Sequence, residues 1–272
     1  MSGDLVVRWL ECLGGLSIFL QCLEYWRIAD CTDPQGIWAW QVQRADIPAT
    51  PAWVGRVFDV LYRPGVYRAQ LLLRAVAALA LMVWGNQWWI ALVLFTGQLL
   101  LLVRWRGAFN GGSDFMTLIT VTGLLIAQLV GLAAGTDTGW SVALAYIGLQ
   151  TISSYFVSGW VKLKRPEWRN GQAMTVFLNS GLYGPLAPDS LFRRPGVAIC
   201  CSWAFILWEG LFPLVLLNPA WVGLFVAVAL VFHFLVFWFF GLNRFFWAWA
   251  VNLSSVFFLS HWLSFGAGMP NA

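Results

Sequence analysis

The sequence predicts an all-α, polytopic membrane bundle of about eight transmembrane helices, with two long loops that carry interfacial helices. Three observations lead there. Only 10% of the 272 residues are charged, against about 25% in a water-soluble domain, so no polar surface can be drawn around this chain. Hydrophobic residues make up 60%, and 19 residues are Trp, a side chain that gathers where hydrocarbon meets water. Apolar runs of about 20 residues, the length that crosses roughly 30 Å of hydrocarbon, recur along the chain. These observations exclude a soluble enzyme, a disordered chain, a nucleic-acid binder and a secreted disulfide scaffold. A single domain over 1–272 is expected.

The spans fall near 6–26, 69–85, 87–105, 115–135, 139–162, 196–217, 220–241 and 244–265. Very short connections at 85–87, 136–138, 218–219 and 242–243 make antiparallel hairpins of the helices they join. The long connections, 27–68 and 163–195, hold amphipathic stretches at Pro51–Tyr62 and Trp168–Leu182, which are expected to lie along the interface. No internal repeat is visible. No cleavable signal peptide is expected, because the first apolar stretch contains Arg8, Glu11 and Glu24.

Basic residues orient this topology, since cytoplasmic loops are enriched in Lys and Arg. With eight crossings, one side holds Arg27, Arg44, Arg56, Arg63, Arg68, Arg104, Arg106, Lys162, Lys164, Arg165, Arg169, Arg193, Arg194 and Arg244. That is fourteen of the sixteen basic residues; only Arg8 and Arg74 lie inside apolar segments. The expected arrangement is a multi-pass protein of a cell membrane, with basic loops in the cytoplasm and both termini outside. Net charge is +4. The five cysteines, Cys12, Cys22, Cys31, Cys200 and Cys201, show no CxxC or Cys/His spacing. They read as small buried side chains, and no metal site is expected.

Ionisable groups inside hydrocarbon are costly, so each needs a partner or a task. Asp4, Arg8 and Glu11 share one helical face and read as a local ion-pair ladder near the outer surface. Arg74 lies about five residues inside the cytoplasmic end of the second span, where it can snorkel or pair with an acid of another helix. Glu209 lies within the sixth span, and His233 is the one titratable residue of the seventh. Asn252 has a depth in the eighth span that matches His233, and the two are expected to share a hydrogen bond. His261 reads as an interfacial residue.

The most informative stretch joins the fifth span to the second long loop. It places Tyr155, Ser158, Gly159, Lys162, Leu163, Trp168 and Gly171 in order. By composition Lys162 reads as a basic anchor beside an interfacial Trp. At the end of an apolar helix it could also serve as a proton acceptor.

This stretch resembles the signature of the horizontally transferred transmembrane (HTTM) domain family, the membrane part of vitamin K-dependent gamma-carboxylase and its bacterial relatives. Two further segments support the resemblance: Phe109 to Asp114, which includes Asn110, and Trp208-Glu209-Gly210-Leu211-Phe212-Pro213, followed by His233. The resemblance implies a bacterial membrane enzyme of the carboxylase or lyase type that uses a reduced, vitamin K-like quinone or another lipid cofactor. Its substrate would be a peptide or a lipid. Lys162 would be the base and His233 a second catalytic group, with Asn110, Arg74, Tyr155, Trp168, Asn252 and Glu209 around the cofactor. A lysine base requires its neutral amine. Where the carboxylase carries Asn-His, this chain reads Gly111-Gly112. A second expectation is a non-catalytic maturation or immunity partner for a secreted peptide, as relatives in sporulation-delaying toxin systems suggest. A small transporter is disfavoured by the lack of a repeat. Membrane lipids, and a peptide substrate or small partner subunit, are the expected partners; nucleic acid is not.

Overall fold

The computed structural model describes residues 3–47, 51–106 and 111–265, and these are helical almost throughout. The long helices are α1 (Gly3–Arg27), α4 (Pro64–Trp84), α5 (Trp88–Trp105), α6 (Gly111–Ala134), α7 (Thr136–Lys164), α10 (Pro195–Gly210), α11 (Val222–Phe240) and α12 (Asn243–Phe265). Short helices α2 (Trp40–Arg44), α3 (Ala52–Leu61), α8 (Pro166–Arg169) and α9 (Gln172–Asn179) occupy the two long connections. Each expected span coincides with one long helix. Proline opens α4, α8 and α10 at their first helical turns, where its missing N–H removes no helical bond.

Six of the helical segments are long and apolar enough to cross a membrane: α1, α4, α5, α6, Pro195–Leu216 and Pro219–Phe240. Among the described residues, length and apolarity therefore support six crossings, not the full eight. The other two long helices, α7 and α12, carry Gln150, Ser153, Ser154, Ser158 and Lys162, or Arg244, Asn252, Ser254, Ser255 and Ser260. The reason is their position. The α7 helix packs on α6, α10 and α12, and α12 packs on α1, α6, α7 and α11. Where such a helix is walled in by protein its polar side chains can bond inward, as Asn252 of α12 does with α6, whereas Gln150 and Ser153 remain exposed on the outer face of α7. Close packing follows from small residues: a Cβ at Gly148 of α7 would lie 2.7 Å from the Ser255 carbonyl oxygen of α12.

The Arg8–Glu11 part of the expected ladder forms, at 3.3 Å. Both side chains then tie α1 to the α4–α5 turn. Arg8 donates to the Met82 carbonyl at 2.6 Å, and Glu11 accepts from the Asn86 backbone N–H at 2.7 Å.

The first long connection forms a platform under α4 and α5. Arg104 is fully buried there, with its guanidinium within 6 Å of the Trp40, Tyr62, Tyr67 and Trp105 rings. It donates to the Gln43 side chain and to the Trp38 carbonyl. Burial pushes the Tyr62 phenol up from its ordinary value. On α3, Trp53, Val57 and Val60 are exposed along one face, as an interfacial helix requires. Asp59 on this helix accepts from Trp40 Nε1 at 2.8 Å and from Arg44 Nε at 2.5 Å. The hydrogen bond from Arg44, and then that from Trp40, hold its carboxyl below the ordinary 3.8. A depressed carboxylate contributes stability above its unfolded pKa and loses it as pH falls through the folded one. The α2–α3 contact is therefore expected to persist at neutral pH and to loosen only below pH 3.8. Trp fluorescence of detergent-solubilised protein should report that change, and Asp59→Asn should abolish the acidic transition.

Candidate functional site

The α7 and α10 helices approach most closely at Gly159, where a side chain would meet the backbone of Glu209 and Gly210. One turn further along α7 this approach sets Lys162 against Glu209. Lys162 Nζ lies 2.5 Å from Glu209 Oε2 and 2.6 Å from Ser158 Oγ, and 5.2 Å above the Trp168 ring. The Glu209 side chain is 4% exposed and that of Lys162 16%. A buried pair of this kind adds little net stability, because desolvating both charges offsets their attraction. What it does is hold a proton between two groups of opposite charge at a fixed place. Beside it lies a cavity of about 640 Å³ along α7, lined by Gln150, Ser153, Ser154, Ser158, Lys162 and Trp168 among others. Gln150 and Ser153 are exposed on this face, so the cavity opens away from the bundle.

Seven residues before Lys162, about 10 Å along the helix, Tyr155 enters an aromatic cluster. Its hydroxyl lies 2.6 Å from His233 Nε2, and its ring stacks on Phe212 at 4.1 Å. Trp249 stacks on His233 at 4.7 Å and also touches Tyr155, as does Trp208. His233 is 1% exposed. Three nitrogens in this cluster, His233 Nδ1, Trp208 Nε1 and Trp249 Nε1, are buried without a hydrogen-bond partner. Buried polar groups are normally satisfied, so these are the atoms at which an oxygen-bearing ligand could bond.

The expected His233–Asn252 hydrogen bond does not form. His233 turns to α7, whereas Asn252 faces α6, where it accepts from Thr120 Oγ1 at 2.7 Å and donates to the Met116 carbonyl at 3.0 Å. Matching depth did not fix direction, because each side chain points to the neighbour its own helix face meets. The His261 ring nitrogen Nδ1 lies 2.8 Å from the Phe257 carbonyl oxygen, one turn back on the same helix.

Arg74 neither snorkels nor touches an acid. It is 2% exposed and donates to Gln21 Oε1 at 3.1 Å and Gln98 Oε1 at 2.6 Å. The acid of this network, Asp114, is reached through those amides. It accepts from Gln21 Nε2 at 3.0 Å and from the Tyr25 hydroxyl at 3.1 Å, and pairs with Arg244 at 3.3 Å. Arg244 continues to Glu24 at 2.8 Å. Five helices, α1, α4, α5, α6 and α12, are thus joined by one polar network.

Of the residues singled out by sequence, Lys162, Glu209 and Trp168 come together, and Tyr155 of α7 forms a second group with His233 of α11. Arg74 and Asn252 lie apart from both. Asn110 falls outside the described residues. Sequence reasoning missed Gln21, Gln98, Asp114 and Arg244 as a unit. The available signal was the presence of Gln21 and Gln98 within apolar runs, where an amide needs a partner. Compared with family models, with curated proteins and with solved structures, the chain gives no match.

Proposed function

We propose that this integral membrane protein is an enzyme of carboxylase-like ancestry, resembling the HTTM family, whose reaction centre is the Lys162–Glu209–Ser158 cluster. The observation that supports it is a buried ion pair built across two helices and flanked by a cavity of about 640 Å³, within the usual range of small-molecule sites. In this reading α7 and α12 also cross the bilayer, giving eight crossings with the basic loops in the cytoplasm of a bacterial cell.

A reduced quinone of vitamin K type would supply reducing equivalents and an acidic hydroxyl when bound. Trp168 and Ser158 line the cavity beside Lys162 and would hold such a molecule there. Passing a proton from Lys162 Nζ to Glu209 Oε2 across their short contact leaves a neutral amine, and that amine can take a proton from an acid in the cavity. Ser158 keeps Nζ in place while this happens.

The test uses full-length protein in lipid nanodiscs. Wild type should retain a stoichiometric quinone by mass spectrometry and oxidise added reduced naphthoquinone under oxygen. Lys162→Ala should keep the quinone and lose about 100-fold or more in rate, the scale of a missing general base. Equal rates for both proteins would overturn the reading.

One observation favours the non-catalytic alternative, a maturation partner for a secreted peptide. Gln150 and Ser153 expose polar atoms in the middle of α7, where hydrocarbon cannot satisfy them and a polar peptide could. That reading stands if Lys162→Ala changes no rate and Gln150→Leu abolishes cross-linking of a defined co-expressed peptide.

A further inference from the structure

A second cavity lies elsewhere, between α9 and the beginning of α10, with a volume of about 780 Å³. Its lining combines Glu167, Asn170, Gln172, Thr175 and Arg193 with Val176 and Phe177. Its walls are fixed. Ser202 of α10 donates to the Trp168 carbonyl, and Trp203 Nε1 donates to the Arg169 carbonyl at 3.2 Å. Gly171, at φ +78°, packs directly on the backbone of Ala198 and Ile199, where any Cβ would collide. Arg193 is held by the Leu186 and Ala187 carbonyls and by Asn179 Oδ1.

The surrounding segment is predominantly basic. Between residues 163 and 194 the basic residues are Lys164, Arg165, Arg169, Arg193 and Arg194, against the acids Glu167 and Asp189. Among the described residues, no carboxylate lies within ion-pair distance of Arg169, Arg193 or Arg194. The same segment exposes large apolar side chains: Val176, Phe177, Leu182, Leu191 and Phe192. Uncompensated guanidinium groups next to bare hydrocarbon side chains complement one kind of molecule, an amphiphile with an anionic head.

We propose that this cavity is a binding site for an anionic phospholipid of the leaflet on the basic side. The phosphate meets Arg193, with Arg169 and Arg194 adding long-range attraction. Acyl chains lie over Val176, Phe177 and Leu182. Asn170, Gln172 and Thr175 offer hydrogen bonds to the glycerol and ester oxygens. The site is independent of Lys162 and its chemistry.

Native mass spectrometry of the full chain, equilibrated with phosphatidylglycerol or phosphatidylcholine, tests it. One phosphatidylglycerol should be retained at least 10-fold more than phosphatidylcholine, and raised salt should weaken it. Arg169→Gln with Arg194→Gln should lower retention at least several-fold without loss of fold, since neither side chain makes a described contact. Ala173→Glu, which adds a second acid to the lining beside Glu167, should abolish it, with helical content by circular dichroism confirming the fold. Equal retention of both lipids would overturn the proposal, as would phosphatidylglycerol retention unchanged in these variants. Displacement of the lipid by millimolar inorganic phosphate would also overturn it in favour of a free-anion site.

Discussion

Asp114→Ala is expected to destabilise the bundle by about 3–5 kcal/mol, the scale of removing one partner from a buried charge pair. The Asp114 side chain is 2% exposed, and three donors from two other helices converge on it: Gln21 Nε2, Tyr25 Oη and Arg244 Nη1. Removing the carboxylate leaves each without an acceptor in a region that water does not reach. Arg244 keeps Glu24 on its outer side, and Arg74 keeps its two glutamines, so the helices need not separate entirely. Asp114→Asn should lose less, because one acceptor oxygen remains. Adding Arg244→Met to Asp114→Ala should recover part of the loss, since the stranded cation is then gone. Unfolding in mixed micelles measures all of these. A loss below about 1 kcal/mol, the net value of one ordinary hydrogen bond, would show that the network does not hold the helices together.

The second large effect is expected at the α7–α10 contact. Glu209→Gln leaves the Lys162 ammonium with only the Ser158 hydroxyl and the Trp168 ring, and should destabilise by about 3 kcal/mol. Lys162→Met with Glu209→Gln should be closer to wild type than Glu209→Gln alone, because a neutral pair replaces an unbalanced charge. Both variants should abolish quinol oxidation if the cluster is the reaction centre. The stability and rate effects thereby separate: the double variant is folded and inactive. A double variant as unstable as the sum of the two single changes would deny the direct contact.

How much of this was legible beforehand depends on the residue. Gly159 and Lys162 stood out because they sit in order at the end of α7, with Trp168 just beyond it on α8, and local spacing transfers directly to such a segment. Glu209 stood out as an acid in an apolar run, but its partner lies forty-seven positions earlier in the chain. Nothing in either segment names the other. The Gly159–Gly210 approach that joins them depends on how two helices cross. His233 and Asn252 illustrate the opposite case: their depths matched, yet rotation about each helix axis sent one to Tyr155 and the other to Thr120.

By itself the sequence determined that this chain carries membrane-spanning helices, roughly where the long helices lie, and which loops are basic. Those properties follow from the solvent: hydrocarbon demands apolar runs of a set length, and internal hydrogen bonding makes each run a helix. Only the tertiary structure decided which helices are central, which charges are paired and where the cavities lie. The physical reason is that pairing is a matter of distance between helix faces. Long-range contacts such as Asp114–Arg244 and Lys162–Glu209 exist only once the helices have packed.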